Sequence, residues 1–505
     1  MKTVHRQIPN TMVSQHPDHA HKPYWHKDAF IKTQHETKEL FLSFSELGVD
    51  EYKWDWEGKL VDESVIERTL ADHFDYYQKQ PLGKKKFLTF RLPNPRVESE
   101  FRLGRAFMGI LSAASLAKQV GFEQPPIFEV ILPMTENAKE MIEIQSAFAE
   151  MASLKHPLLK MAESGMKHIQ LIPLFEDFKT IMNSAKILEE YLDLHQKRFG
   201  FLPEYMRPYI ARSDPALNSG LVPTVLAIKA ALSDYAELAE RKKIALYPII
   251  GSASLPFRGG LTPLTVKQFA KEYAGVRTAL IQSAFRYDYD KVDVIAGIKT
   301  LNSLLSKGKA VHMSEKEKNE IEQIATLFEP PYQTSVEHLA DTINAIANQL
   351  PRRRERVQHI GLFGYSRGVG KVKLPRAIGF TAALYSLGIP PELIGTGRGL
   401  RLAKEKGLLK TVEKWYVNLQ SDLRQAGKYV NKKNLKKFAK KDQFWADILE
   451  DVNAVEEYLG MPIGPATFEE ESHEKITSKI AQAFEKKQPL TLLLEKGAKL
   501  RRSMG

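Results

Sequence analysis

Short apolar runs recur along this chain, and each leads into a polar or glycine-bearing loop and then into helical sequence. Lys86 to Arg91 (KFLTFR), Ile127 to Pro133 (IFEVILP) and His168 to Phe175 (HIQLIPLF) have the length and composition of buried strands. Tyr205 to Ala211, Ala245 to Ile250 and Val357 to Phe363 repeat the arrangement. Helical spacing of apolar positions predicts helices over Ser64 to Gln80, from Glu136 to Ala152 and over Ser184 to Arg198. Strands alternating with helices imply a parallel sheet with right-handed crossovers, and many such units imply closure. The expected fold class is therefore α/β: a (β/α)8-type barrel embedded in extensive additional α-helices, helix-rich overall. Residues 1–505 read as a single domain, with the barrel core over roughly 85–400 and a charged, helical C-terminal part over roughly 400–505. A separate C-terminal helical domain is the alternative. The first 35 residues hold six of the fourteen histidines and show little periodicity, so they read as loop packed on something larger.

In parallel α/β folds, ligands bind outside the C-terminal ends of the strands. The residues just past each predicted strand are accordingly the ones to weigh. Glu176 (LIPLFED) and Asp214 (ARSDPALNSG) each follow an apolar strand. Two carboxylates on neighbouring loops suit a hard divalent cation, Mg2+ or Mn2+, with positions left open for water and an anionic substrate. The bland alternative is that each caps the next helix or pairs with an arginine.

Arg91, Arg258, Arg367 and Arg376 form a second group. Guanidinium forks bind phosphate and carboxylate bidentately, so several at one mouth suit a small, multiply charged anion. Arg258 lies in GSASLPFRGG, whose glycines would let backbone amides approach a phosphate. Each arginine reads equally well as a structural tie between a loop and the barrel. The segment SQHPDHAHKPYWH carries His16, His19, His21 and His26 without completing a zinc signature. One catalytic histidine among several surface ones is the preferred reading, because imidazole can hold a proton near neutral pH and guanidinium cannot.

The chain has no cysteine, which excludes thiolate catalysis, thiolate metal sites and disulfides. Its net charge is +12, with patches at Lys84 to Lys86, Arg352 to Arg354 and Lys428 to Lys441 that read as solvated helix faces. No apolar leader core and no run of about 18 apolar residues is present, so a cytoplasmic location without membrane contact is expected. Gly395 to Gly399 (GTGRG) follows a helix-and-turn stretch rather than a strand and fails as a dinucleotide fingerprint. Gly364 to Lys371 has a phosphate-loop flavour but lacks the Gly-Lys-Ser/Thr ending.

SQHPDHA, FEVILPMTE, LIPLFEDF, ARSDPALNSG, GSASLPFRGG and FGYSRGVGKVKLPRAIGFTAALYSLGIPPELIGTGRGL occur in this order across most of the chain. Together they resemble the archaeal-type phosphoenolpyruvate carboxylases. The resemblance implies a helix-wrapped barrel, a homotetramer, a divalent metal, and phosphoenolpyruvate and bicarbonate as substrates. It would make Glu176 and Asp214 the metal ligands, Arg258 the holder of the phosphate and of the transferred phosphoryl group, and Arg91, Arg367 and Arg376 the lining of the same anion pocket. His16 would assist carboxylation, so that His16, Arg258 and Arg367 are the expected catalytic residues. Two features depart from the longer carboxylases. Leu217 stands where they carry a lysine three residues after the metal-binding aspartate, and only FRGG is present where they have a histidine and a second Arg-Gly-Gly turn. Gly505 matches the family's habit of ending in glycine and implies an ordered terminus near the site, against the default of a frayed tail.

Two rival readings predict different behaviour. Another phosphoenolpyruvate or pyruvate barrel, a lyase or kinase-like enzyme, would not consume bicarbonate. A nucleic-acid-binding protein would need aromatics among its basic residues, and the sequence shows few there. No nucleic-acid partner is therefore expected.

Overall fold

The computed structural model describes residues 6–57, 61–98, 100–156, 164–355, 367–369 and 372–505, with Arg367 to Val369 given by their backbone alone. Its first ten strands are β1 (Thr11–Ser14), β2 (Glu51–Asp55), β3 (Phe87–Arg91), β4 (Glu129–Leu132), β5 (Gln170–Phe175), β6 (Tyr205–Met206), β7 (Tyr209–Ile210), β8 (Ala245–Leu246), β9 (Ile249–Ile250) and β10 (Thr278–Ile281). Eight of them close a parallel barrel in the order β1-β10-β9-β7-β5-β4-β3-β2. Helices such as Glu100–Gln119, Ala138–Ala152 and Phe178–Phe199 return the chain between strands, so the (β/α)8 architecture expected from the alternation is the one observed.

Two boundaries differ from the sequence expectation. The barrel strands run from Thr11 to Ile281, not over roughly 85–400, so the stretch read as an N-terminal loop supplies the first strand. β1 is only four residues long (TMVS), too short to show a period. The expected strands 205–211 and 245–250 are each split, because Pro208 and Pro248 lack the N–H that continues a ladder. β6 and β8 pair with each other outside the barrel, while β7 and β9 enter it. The predicted strand Val357 to Phe363 and most of Gly364 to Lys371 fall outside the described residues.

β2 explains how the barrel interior is layered. In EYKWDWE the residues alternate, with Tyr52, Trp54 and Trp56 packed among the surrounding helices and Glu51, Lys53, Asp55 and Glu57 buried on the other face. Inside, Met12, Ile131, Ile172, Leu174, Tyr209, Ile249 and Leu280 form an apolar layer. Below it, at the N-terminal end of the strands, Arg207 is fully buried and bonds both oxygens of Glu51 at 2.7 Å, Glu129 at 2.8 Å and Thr278 at 3.1 Å. Arg6 adds a second cation against Glu129. This ion network fills the floor of the barrel, at the end opposite to the one where the strands' C-termini converge.

After the barrel comes the 33-residue helix Glu315–Ala347, opened by a capping box between Ser314 and Glu317. The hairpin β11 (Arg367–Val369) and β12 (Val372–Leu374) follows, then helices from Ala377 to Leu500 around a second apolar core. Gly395, Gly397 and Gly399 serve helix packing here. A Cβ at these positions would lie 2.6 Å from Tyr332 N, 2.1 Å from Asp451 O and 2.3 Å from Phe328 Cδ1. Among the basic patches, Lys432, Lys437 and Lys441 sit in ion pairs with Glu456 and Glu485. Arg353 and Arg354 are not on a solvated face as expected. Both are buried, Arg353 against Glu495 and Arg354 against Glu36 and Glu39. Among the described residues no helix is long and apolar enough to cross a membrane.

Candidate active site

The C-terminal mouth of the barrel gathers residues from most of its strands. Arg91, the last residue of β3, is the register partner of Asp55 on β2. Its Nε donates to Asp55 Oδ1 at 2.8 Å and its Nη1 contacts Glu57. These two carboxylates, with a contribution from Glu176, outweigh burial and raise the guanidinium's pKa. Lys53 Nζ lies 3.2 Å from the same Asp55 oxygen.

Glu176 follows β5, and its Oε2 accepts the amide N–H of Met134 at 2.8 Å. Met134, just past β4, carries a left-handed φ of 49°, rare for a side chain of its kind. The helix-cap alternative does not apply to Glu176, because it is Asp177 that accepts from Thr180 N at 3.0 Å and caps Phe178–Phe199. Asp214 lies in the first turn of Ser213–Ser219, past β7, and β7 is the strand paired to β5. The two carboxylates thus stand at adjacent strand ends. Among the described residues no group of three or more His, Asp or Glu side chains is arranged to hold a metal.

Arg258 sits in a 3-10 turn, Pro256–Arg258, and is buried. It donates to Ser213 Oγ at 3.1 Å, to Gln282 Oε1 at 2.7 Å and to the carbonyl of Gly505, with Asp18 Oδ2 at 3.6 Å. The glycines after it do not offer amides to a ligand as expected. Gly259 N bonds Pro256 O and Gly260 N bonds Leu255 O, both at 3.0 Å, so their role is the positive φ that turns the loop back. Arg212, fully buried, holds this loop from beneath through Phe257 O, Pro256 O and Tyr273.

A family model described as phosphoenolpyruvate carboxylase matches residues 8–505. The chain belongs to the phosphoenolpyruvate carboxylase family. Relatives named phosphoenolpyruvate carboxylase include that of Oenococcus oeni, 38% identical over 509 residues with all of both chains covered. That of Metallosphaera sedula is 37% identical over 500 residues, covering 95% of this chain and 96% of the relative. That of Methanothermobacter thermautotrophicus is 39% identical over 437 residues, covering 84% and 87%. The archaeal-type resemblance read from the six sequence blocks is the family found.

Within this carboxylase fold the expected site residues divide. Arg91 and Arg258 both come within electrostatic reach of His16, and Glu176 acts on Arg91. His16 keeps partial exposure at the mouth, and its Nδ1 lies 2.9 Å from Ser14 Oγ. Close protein packing, then Lys53, Arg91 and Arg258 against an opposing Asp55, hold its pKa well below the usual histidine value. Arg376 is exposed at the start of Ala377–Leu387, and its charge reaches Glu57. Arg367 opens β11, beside the helix that bears Asp214. The other histidines behave differently. His19 is a core residue rather than a surface one, bonded to Ala29 O at 2.8 Å and held uncharged by burial, its pKa pushed down to about 3. His21 pairs with Asp288.

Sequence reasoning missed Asp18, Lys53, Asp55, Glu57 and Gln282. The signal for three of them was present in EYKWDWE, where charge alternates with aromatics at the strand period.

Proposed function

We propose that this chain joins bicarbonate to phosphoenolpyruvate at the C-terminal mouth of the barrel, giving oxaloacetate and inorganic phosphate, as a cytoplasmic homotetramer using Mg2+ or Mn2+. The observation that carries this reading is the gathering of His16, Arg91, Arg258 and Glu176 at one barrel mouth, in a chain whose family match spans residues 8–505.

Glu176 and Asp214 would hold the cation. They offer only hard oxygen donors from adjacent strand ends, which suits an ion that keeps open positions for water and substrate. The charges of the mouth point the same way. Among the described side chains, Lys53, Arg91, Arg258 and Arg376 stand with Asp18, Asp55, Glu57, Glu176 and Asp214, four basic groups against five acidic ones. A polyanionic substrate therefore needs more positive charge than the side chains supply. When bound, a divalent cation supplies it beside the phosphate and the developing enolate oxygen.

The chain's own residues account for the remaining chemistry. Arg258 and Arg91 would orient the phosphate and carboxylate, with Arg367 and Arg376 closing the anion pocket. A bicarbonate oxygen bonds to phosphorus while the bond from phosphorus to the enol oxygen breaks, leaving carboxyphosphate and an enolate. His16, uncharged at neutral pH, would take the carboxyl proton of carboxyphosphate through Nε2. The carbon-oxygen bond to phosphate then breaks, carbon dioxide is released, and the proton passes to the phosphate. The enolate carbon attacks carbon dioxide, a step that requires water to be kept from protonating it to pyruvate first.

The test is bicarbonate-dependent oxaloacetate formation from phosphoenolpyruvate with magnesium, coupled to malate dehydrogenase, in the native protein, Asp214→Asn and Arg258→Ala. Activity that requires bicarbonate and metal and collapses in both variants supports the reading. Folded, metal-supplied protein that makes no oxaloacetate ends it.

A further inference from the structure

Lys53 is an odd residue to find inside a barrel. It is the third residue of β2, its side chain is 1% exposed, and its Nζ lies 5.9 Å from the ring centre of Tyr209 in the apolar layer. A structural cation in this barrel looks different. Arg207 on the floor has two carboxylates and a hydroxyl for its terminal nitrogens. Lys53 brings three N–H donors, and among the described residues the acceptor within reach is one oxygen of Asp55, which Arg91 Nε shares. A buried ammonium held this loosely adds little to stability, and an apolar residue of the same length would fill the space.

Its position gives it another use. Asp55 connects three parts of the mouth: its carboxylate meets Lys53 and Arg91, and its backbone N–H donates to Gln15 Oε1 at 3.1 Å, next in sequence to His16. We propose that Lys53 is a positioning residue of the carboxylation: it fixes Asp55, and through it the Arg91 fork and the end of β1, and it is the fixed cation against which the His16 ring sits. The inference rests on the placing of substrate against His16 and Arg91 proposed above.

The charges facing these groups are consistent with it. His16 faces Lys53, Arg91 and Arg258, opposed by Asp55, and of these Lys53 has the largest influence on it. Lys53 faces Arg91, Asp55 and Glu57; burial first, then Arg91, push it down to about 8, so it remains charged at neutral pH. A ring that must accept a proton from carboxyphosphate and pass it on has to start uncharged, and a neighbouring cation that is charged at neutral pH favours that.

The experiment uses the full chain with magnesium. Oxaloacetate formation is followed from pH 6 to 10 in Lys53→Gln, Lys53→Met and Lys53→Arg, with the fold checked by circular dichroism. Gln retains an N–H for Asp55 and guards against misfolding of the Met variant. Expected for Lys53→Gln is a kcat lowered about tenfold or more, with the acid limb of the profile moved up by about one unit. The sign follows because loss of the cation makes the imidazolium easier to form. Lys53→Arg returns the limb to its native position. In a His16→Asn background, Lys53→Gln costs no further kcat, since Gln still holds Asp55 and the lost charge acts through the ring. A Lys53→Gln profile that overlays the native one overturns the inference, and so does a full additional loss in the His16→Asn background. If His16→Asn alone keeps native kcat, the inference falls together with the role given to His16. A His16→Asn variant with lowered but measurable kcat, on which Lys53→Gln is additive, rejects only the inference.

Discussion

Arg91 donates its Nε to Asp55 Oδ1 across 2.8 Å, between register partners on neighbouring barrel strands. The arginine thus arrives at the mouth already aimed, with one edge of its fork on Asp55 and Glu57 and its remaining donors directed by them. Asp55 also answers the buried Lys53, so its removal leaves two cations undercompensated. Asp55→Asn is expected to destabilise the fold by about 3 kcal/mol, the scale for breaking a buried ion pair from one side. The double variant Lys53→Met with Asp55→Asn recovers part of that loss. Urea unfolding of Asp55→Asn, Lys53→Met and the double variant measures both effects, and equal losses in Asp55→Asn and the double variant would contradict the pairing.

Gly505 occupies a space with no room for a side chain. A Cβ there would lie 2.1 Å from Ile378 O and 2.7 Å from Ala382 N, while the glycine carbonyl accepts from Arg258. Gly505→Ala must displace the tail, and with it a partner of the arginine that would hold the phosphate. Displacements of about 1 Å at a reacting centre cost up to about a hundredfold in rate. We expect kcat to fall by about tenfold to a hundredfold with an unaltered circular dichroism spectrum.

How much of this was legible beforehand follows from local physics. β3, β4 and β5 are buried and mostly apolar, which makes them readable as buried strands, and Arg91, Glu176 and Asp214 stand at or just past the ends of such apolar runs. β1 and β10 are four residues each, below the length at which any period shows. β2 was hidden for the opposite reason: its charged face reads as solvent-exposed, whereas the barrel buries it and pairs it across strands. The Asp18 and Gln282 contacts to Arg258 join residues hundreds and tens of positions apart, which only closure of the barrel brings together.

The floor network gives a control for the mouth. Arg207 lies at the other end of the strands from His16 and Glu176, with an apolar layer between. Arg207→Met leaves Glu51 and Glu129 buried with fewer partners and is expected to cost about 3–5 kcal/mol of stability. The KM for phosphoenolpyruvate of the protein that remains folded should be unchanged. A KM shift without loss of stability would place the network in the site instead of under it.

The loop that carries Arg258 also makes stability depend on pH. Glu392, fully buried, accepts from Phe257 N and from Tyr385 Oη, both at 2.7 Å, and burial pushes its pKa up from 4.5 to about 7. Asp422, beneath the same loop and bonded to Tyr416 Oη at 2.7 Å, is pushed up by burial from 3.8 to about 7. For both groups the folded protein binds the proton more tightly than the unfolded chain. The protonated form therefore contributes stability that is present at low pH and is lost as pH rises from about 4 through about 7. The melting temperature should thus fall between pH 5 and pH 8 in the share set by these two groups. Glu392→Gln keeps an acceptor for Phe257 N, cannot ionise, and should be more stable than the native protein at pH 8 while differing little at pH 5. Melting curves at the two pH values decide it: a variant that is less stable at pH 8 would mean that Glu392 is ionised and paired in the fold, with the loop held by charge.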